Sequence, residues 1–304
     1  MLDVCLLGTA GMMPAPNRWL TSMLLRFNGE CVLTDCGEGT QIALREAGFS
    51  PNPVSVICIT HFHADHISGL PGFLLAMGNS DRTEPLLIIG PRGVERVVNS
   101  LRIIAPQLPF EVNFHELSEA EEDISVLGMT IHAFKVNHNI LCYGYSFSVS
   151  RAGKFNVASA QALGLPVQLW NPLQKGKTVE YEGKTYTPDM VMGEARKGLK
   201  VTYCTDTRPT ESLVNAALGS DLLICEGMYA EADKLQMAVK KKHMTFYEAA
   251  QVAKSAEVSE LWLTHFSPSM TGHKSYMPAV KDIFPNSHLG KDGKILELDF
   301  AEEE

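Results

Sequence analysis

The sequence predicts an α/β protein in which sheets are covered by helices. Two observations lead there: antiparallel hairpins in two regions of the chain, and strand–helix–strand alternation beside them. A third is the run VSVICIT (54–60), which lacks polar alternation, as expected of a strand covered on both faces. At 304 residues, 45% hydrophobic and 20% charged, the chain suits one large soluble domain or two small ones.

The elements follow in order. LDVCLLGTA (2–10) reads as a first strand; no basic region precedes its apolar run, so it is not expected to be a signal peptide. TSMLLRFNGECVLTDCG (21–37) is a hairpin turning at Asn28-Gly29, a pair suited to a type I′ turn. EGTQIALREAG (38–48) has helical spacing and a closing glycine. HISGLPGFLLAMGN (66–79) and GVERVVNSLRIIA (93–105) read as helices on either side of the strand EPLLIIGP (84–91). EVNFHEL, ISVLGMTIHAFKVNH and CYGYSFSVS, between 111 and 150, are β-rich. After 198 the alternation resumes with strands at LKVTYCTDT, DLLICEG and ELWLTHFS and helices at TESLVNAALG and TFYEAAQVAKSAEV. There is no short fixed repeat and no apolar stretch long enough to cross a membrane.

The segment 151–198 is different. It is rich in Gly, Pro and Lys, and its seven basic against four acidic residues make it +3 within a chain of −9. On charge alone, a solvated insertion with a hairpin turning at Glu182-Gly183 is the simpler reading. The sharper one is a protruding arm, inserted in a single domain spanning 1–304, that meets a polyanion. The acidic net charge argues against indiscriminate nucleic-acid binding but leaves room for such a local basic surface. Seven scattered cysteines, several inside apolar runs and none in CxxC spacing, read as reduced core thiols and place the protein in the cytoplasm.

ITHFHADHISGL (59–70) carries the chemistry. Three histidines and an aspartate within six positions, directly after an apolar strand, are costly to bury unless something binds them. His61 and His63, at i and i+2 off a strand end, project to one side; Asp65 and His66 come after a turn and face them. Four such residues exceed one catalytic zinc site, which takes three protein ligands and an open position, yet fall short of two. Other strand ends supply the rest: His138 in FKVNHN, Asp206 in LKVTYCTDT and His265 in ELWLTHFS. With seven ligands a two-ion site is expected, and Asp206, having two oxygens, suits the bridging position.

The HxHxDH stretch followed by single His, Asp and His residues resembles the metallo-β-lactamase superfamily. LLGTAGMMPAPNRWLTSMLL, TDCGEGTQIAL, HADHISGLPG, IIGPRGVERVV, VNHNILCYGY, YCTDTRPT, LICEGMY, HMTFYEAAQVAK and LTHFS are similar, over nearly the whole chain, to the ribonuclease Z family. The resemblance implies a four-layer αββα sandwich with the active site on one edge of the paired sheets. It implies two zinc ions per chain, one held by His61, His63 and His138, the other by Asp65, His66 and His265, with Asp206 between them. It makes Asp35 a supporting group, Glu226 the partner of the proton donor His243, and Asp65 the residue that ligates a metal and orients or deprotonates the attacking water. The implied activity is removal of the 3′ trailer from precursor transfer RNA by a cytoplasmic homodimer. Substrate contacts would come from Arg18 and from Lys175, Lys177, Arg196 and Lys197 of the arm.

The match has departures. In PAPNRW, Pro14 and Arg18 fit the family's loop, but Pro16 stands for its lysine and Trp19 for its asparagine. Cys225 replaces the histidine before Glu226, and the arm has no Gly-Pro pair. Two alternatives therefore stay in view: another hydrolase of this fold acting on small phosphodiesters, sulfate esters or lactones, and a non-hydrolytic RNA-binding or metal-sequestering protein. The intact ligand set speaks against the second.

Overall fold

The computed structural model describes residues 1–230 and 232–301. Its strands and helices up to the inserted segment are β1 (Leu2–Gly8), β2 (Ser22–Phe27), β3 (Glu30–Thr34), α1 (Thr40–Glu46), β4 (Val54–Cys58), α2 (Ala64–Ile67), α3 (Leu70–Gly78), β5 (Leu86–Pro91), α4 (Val94–Leu101), β6 (Val112–Leu117), β7 (Glu121–Val126), β8 (Met129–Lys135) and β9 (Tyr143–Arg151). There follow α5 (Val157–Ala162), α6 (Trp170–Gln174), β10 (Val179–Tyr181), β11 (Lys184–Tyr186), β12 (Arg196–Cys204), α7 (Glu211–Ala217), β13 (Leu222–Glu226), α8 (Leu235–Lys241), α9 (Phe246–Ser255), β14 (Leu261–Thr264), α10 (Met277–Ile283), β15 (Ser287–Leu289) and β16 (Lys294–Leu298).

Two seven-stranded mixed sheets result, in the orders β16-β1-β2-β3-β4-β5-β6 and β15-β14-β13-β12-β9-β8-β7. In the first, pairing is antiparallel from β16 to β3 and parallel from β3 to β6. In the second, β7 to β9 are antiparallel and β12 to β15 parallel. All seven residues of β1 are buried, which a strand achieves only when both faces are covered. Cys5 and Leu7 pack under Leu44, Phe73 and Leu74 of α1 and α3; Val4 and Leu6 alternate to the opposite face. On the second sheet, Leu223 and Leu263 lie under Leu213 of α7 and Phe246 and Ala250 of α9. The inner faces meet where Tyr145 of β9 donates to Ile59 O at 2.7 Å and Tyr203 of β12 donates to Asp35 Oδ2 at 3.3 Å. The layers are thus helix, sheet, sheet, helix, as expected. Truncating a core ring such as Phe73 would cost about 3–5 kcal/mol.

Two hairpins turn where the sequence places them, at Asn28-Gly29 and Glu182-Gly183, and a third turns at Leu127-Gly128 inside the stretch read only as β-rich. Asn28-Gly29, Leu127-Gly128 and Glu182-Gly183 all have positive φ at both residues, the requirement of a type I′ turn. The helix expected over 66–79 is instead two, α2 and α3, divided at Ser68-Gly69. Gly69 N donates to Cys36 O at 2.9 Å, and a Cβ on Gly69 would lie 1.9 Å from Gly37 O. The break lets two backbones touch, and Pro71 restarts the helix in its first turn.

The chain forms two compact units, Met1–Ser148 with Lys200–Asp299, and Val149–Leu199 with Phe300 and Ala301. The second has its own small core of Ala160, Leu165, Leu173, Tyr186 and Val191. Arg151 ties Phe300 and Ala301 into it, lying 5.1 Å from the Phe300 ring centre and donating to Ala301 O at 2.7 Å. All seven cysteines are buried and unpaired. Among the described residues no helix is long and apolar enough to cross a membrane.

Candidate active site

Nearly every polar residue of the site follows the carboxyl end of a parallel strand. Asp35 follows β3, His61 and His63 follow β4, Asp206 follows β12, Glu226 ends β13 and His265 follows β14. His138 comes three residues after the antiparallel β8. Ligand sites of open α/β sheets gather outside such strand ends, because loops there can point side chains into one hollow. Asp65 and His66 ride on α2, which the Gly37–Gly69 approach holds in place: a Cβ on Gly37 would lie 2.1 Å from Asp65 O. Asp35, Asp206 and His265 have φ of 59°, 54° and 56°, the left-handed region that Asp and His tolerate better than most residues.

The seven candidate ligands form two sets that share one carboxylate. Asp206 Oδ2 is 3.7 Å from His61 Nε2 and 3.6 Å from His138 Nε2, while His63 Nδ1 is 3.0 Å and 3.3 Å from the same two nitrogens. Asp206 Oδ1 turns the other way, 3.4 Å from His66 Nε2 and 3.1 Å from His265 Nε2. Asp65 Oδ2 completes that second set, 3.6 Å from His66 Nε2 and 3.4 Å from His265 Nε2. His66 Nε2, His265 Nε2 and Asp206 Oδ1 are buried with no hydrogen-bond partner. Such atoms are costly unless a cation meets them, and neutral imidazoles with carboxylates are a donor set for borderline divalent metals.

The electrostatics agree with that demand for positive charge. Burial lowers the pKa of His61, His63 and His138, leaving them neutral and ready to donate a lone pair. Burial also works against charge on His66, but Asp35 and Asp206 outweigh it and favour a cation there. Asp65 is held well below the usual carboxylate range despite burial, by the imidazoles of His265 and His66 beside it. Asp35, fully buried, accepts His66 Nδ1–H at 2.8 Å and Thr60 N–H at 2.9 Å, which aims His66 Nε2 at Asp65 and Asp206.

His243 stands on the wall of the same cleft, its ring centre 5.2 Å from that of His138 and 5.7 Å from that of His265. Its Nδ1 is 3.1 Å from Oε2 of the fully buried Glu226, which also accepts from Met244 N at 3.0 Å. Burial disfavours charge on His243, but Glu226 outweighs it and pushes the pKa up to about 9. The cleft, about 210 Å³, is lined by His63, Asp65, His138, Asp206, His243 and His265. Met12, Asn139, Tyr229 and Lys241 line it too, and sequence reasoning missed them. Of these, Lys241 had a visible signal, the KKK run before His243.

Arg18 lines a separate cavity of about 370 Å³ with Trp19, Glu46 and Asp292, its guanidinium 5.5 Å from the Phe266 ring centre. Trp19, where the family has asparagine, is anchored by Asp292 at its backbone N–H (2.6 Å) and by Glu46 at its indole N–H (2.7 Å). Lys175, Lys177 and Lys197 are exposed and Arg196 half-buried in the Val149–Leu199 unit. Arg196 Nε donates to Ala152 O at 2.9 Å.

Comparisons with known proteins identify the family of the chain. Residues 2–159 match the family model described as Anti-Pycsar protein Apyc1, and residues 152–266 that of the beta-lactamase superfamily domain. The chain is 64% identical to ribonuclease Z of Agathobacter rectalis and 57% identical to that of Lachnoclostridium phytofermentans, over 100% of each chain in both cases. The crystal structure of human tRNase Z, short form, covers 98% of this chain and 100% of that one with a TM-score of 0.71. Its identity is 23%, a likeness of fold alone. The end-to-end identity to the bacterial enzymes goes further, and with it the chain belongs to the ribonuclease Z family, on the metallo-β-lactamase fold.

Proposed function

We propose that this chain is a two-zinc endoribonuclease that removes the 3′ trailer from transfer-RNA precursors. Membership of the ribonuclease Z family supplies the substrate class. The observation that carries the chemistry is the division of Asp206, one oxygen toward His61 and His138 and the other toward His66 and His265. In this reading His61, His63 and His138 would hold one ion, Asp65, His66 and His265 the other, and Asp206 would serve both. When bound, such a pair of cations supplies Lewis-acid activation of water and of phosphoryl oxygens.

The protein's own groups do the rest. Asp65, so far below the usual carboxylate range, is a weak base, which favours orienting the attacking water over deprotonating it. Met12 N–H donates to its Oδ2 at 2.7 Å and holds that orientation. His243, kept charged at neutral pH by Glu226, carries the proton that the leaving 3′-oxygen needs. The product then ends in a 3′-hydroxyl and the trailer carries a 5′-phosphate. Lys175, Lys177, Arg196 and Lys197, on a single-domain chain's inserted arm over 151–198, would contact remote phosphates of the RNA, and Arg18 would approach the 3′ end. Seven buried, unpaired thiols fit a cytoplasmic setting. A homodimer is the assembly the family resemblance implies, testable by sedimentation.

Zinc-loaded protein incubated with an end-labelled transfer-RNA precursor should give one cut, releasing a 5′-phosphorylated trailer. Hydrolysis of bis(p-nitrophenyl) phosphate without any precursor cleavage would point instead to a small-phosphodiester hydrolase. Metal analysis should return about two zinc ions per chain; one ion with His265 dispensable would contradict the paired site.

A further inference from the structure

The run Lys240-Lys241-Lys242 before His243 has a use in the fold for only part of its charge. Lys242 caps α8 with φ of 56°, and its ammonium donates to His138 O at 2.9 Å. Three successive carbonyls at this helix end are bound from neighbouring groups. Asn139 Nδ2 donates to Lys241 O at 3.1 Å, His138 Nδ1 pairs with Lys242 O at 3.2 Å, and Arg208 Nη1 donates to His243 O at 2.6 Å. The backbone of 241–242 is therefore bolted to the loop that carries His138, and that of His243 to Arg208. Lys241, so held, lines the metal cleft beside Tyr229 and His243. It is the sole Lys or Arg among the described residues lining that cleft, and it forms no ion pair among the described residues.

We infer that Lys241 is a substrate-binding residue that takes the phosphate on the 5′ side of the nucleotide carrying the leaving 3′-oxygen. The inference rests on the phosphodiesterase reading above and deepens it. The scissile phosphate belongs to the paired metal site. The leaving oxygen is on the side of His243, its proton donor, so the RNA strand that continues from that oxygen runs along the wall to which His243 and Lys241 belong. The next anion along that strand is the 5′ phosphate of the same nucleotide. A lysine suits it, because a backbone phosphate passing an open cleft needs a point charge on a flexible stem and no fixed bidentate geometry. Tyr229, half-exposed at 6.5 Å from the His243 ring centre, walls the ribose between the two phosphates.

The test is a substrate–protein cycle on zinc-loaded, full-length protein. Precursor RNA is made with one neutral methylphosphonate at the linkage 5′ to the leaving nucleotide, and Lys241 is changed to Gln. Each change alone should lower kcat/KM about tenfold or more, as expected when a charged hydrogen bond is removed. Together they should cost no more than either alone, since both delete the same interaction. Lys241→Arg should restore the sensitivity to the neutral linkage. The slope of log affinity against log salt should fall by about 0.7 in Lys241→Gln. Effects that multiply, or a Lys241→Gln variant equal to the parent on the unmodified precursor, overturn the proposal. A measurement without any variant decides it should the glutamine protein fail to fold. Walking the methylphosphonate along the strand must give the parent protein its largest 5′-side penalty at this linkage, and a flat profile refutes the interaction. Failure of the parent to cut any precursor would instead refute the function on which the inference rests.

Discussion

Asp35→Asn tests how the site is held together, because it removes one atom's worth of chemistry from a fully buried group. Asp35 uses both oxygens: Oδ1 accepts Thr60 N–H at 2.9 Å, and Oδ2 accepts His66 Nδ1–H at 2.8 Å. Asparagine has one oxygen to offer. If it faces His66, the amide NH2 confronts Thr60 N–H, and an opposed buried donor pair costs about 1–3 kcal/mol of stability. If it faces Thr60, His66 must move its proton to Nε2, the nitrogen aimed at Asp65 and Asp206, and can no longer ligate there. Either outcome should weaken the ion held by Asp65, His66 and His265 by about 10–100-fold, the usual effect of removing a ligand's supporting partner. The set of His61, His63 and His138 is linked to this change mainly through Asp206 and Thr60, so its ion should be much less affected. Competition titration with a chromophoric chelator, on protein whose fold is checked by circular dichroism, resolves the two affinities. Two unchanged affinities, or two that fall equally, would refute this assignment of the sets.

Three further outcomes follow from the same geometry. Asp65→Ala should lower turnover on precursor RNA by about a thousandfold or more while RNA affinity measured by filter binding stays nearly intact; equal declines would mark the residue as structural. Glu226→Gln removes the charge that pushes His243 up to about 9, so the alkaline limb of the kcat profile should move to lower pH, and an unmoved limb would dissociate the pair from catalysis. Replacing Lys175, Lys177, Arg196 and Lys197 by glutamine should lower precursor cleavage more than diester hydrolysis, and should flatten the salt slope by about 0.7–0.9 for each phosphate no longer neutralised. An unaltered slope would mean that these side chains neutralise no phosphate of the RNA.

Much of the molecule was legible because strand ends are written locally. VSVICIT is apolar enough to be a covered strand, so the residues after it leave a sheet edge together; the same logic picks out Asp206 after VTYC and His265 after LWLT. The I′ turns at Asn28-Gly29 and Glu182-Gly183 were legible for a similar reason, since glycine accepts the positive φ such a turn demands. Where a local signal met a distant partner, the reading failed: HISGLPGFLLAMGN has helical spacing throughout, yet Gly69 leaves the helix to let Cys36 and Gly37 approach. Arg18 matches a family loop, and what the loop could not tell is that its guanidinium lies against the Phe266 ring, from a remote part of the chain, beside Trp19.

By itself, then, the amino-acid order determined the sheet-and-helix class, the strand ends, and which His and Asp residues leave them, since these depend on periodicity and on neighbours within a few positions. Tertiary packing alone decided that Asp206 faces two sets of histidines with its two oxygens, that Asp35 orients His66, and that the backbone of Lys241 is tied to the loop carrying His138. Those relations join residues from 31 to more than 100 positions apart. They arise where the carboxyl ends of β4, β12 and β14 meet across the paired sheets and tilt buried polar atoms at one another, at distances no local preference encodes.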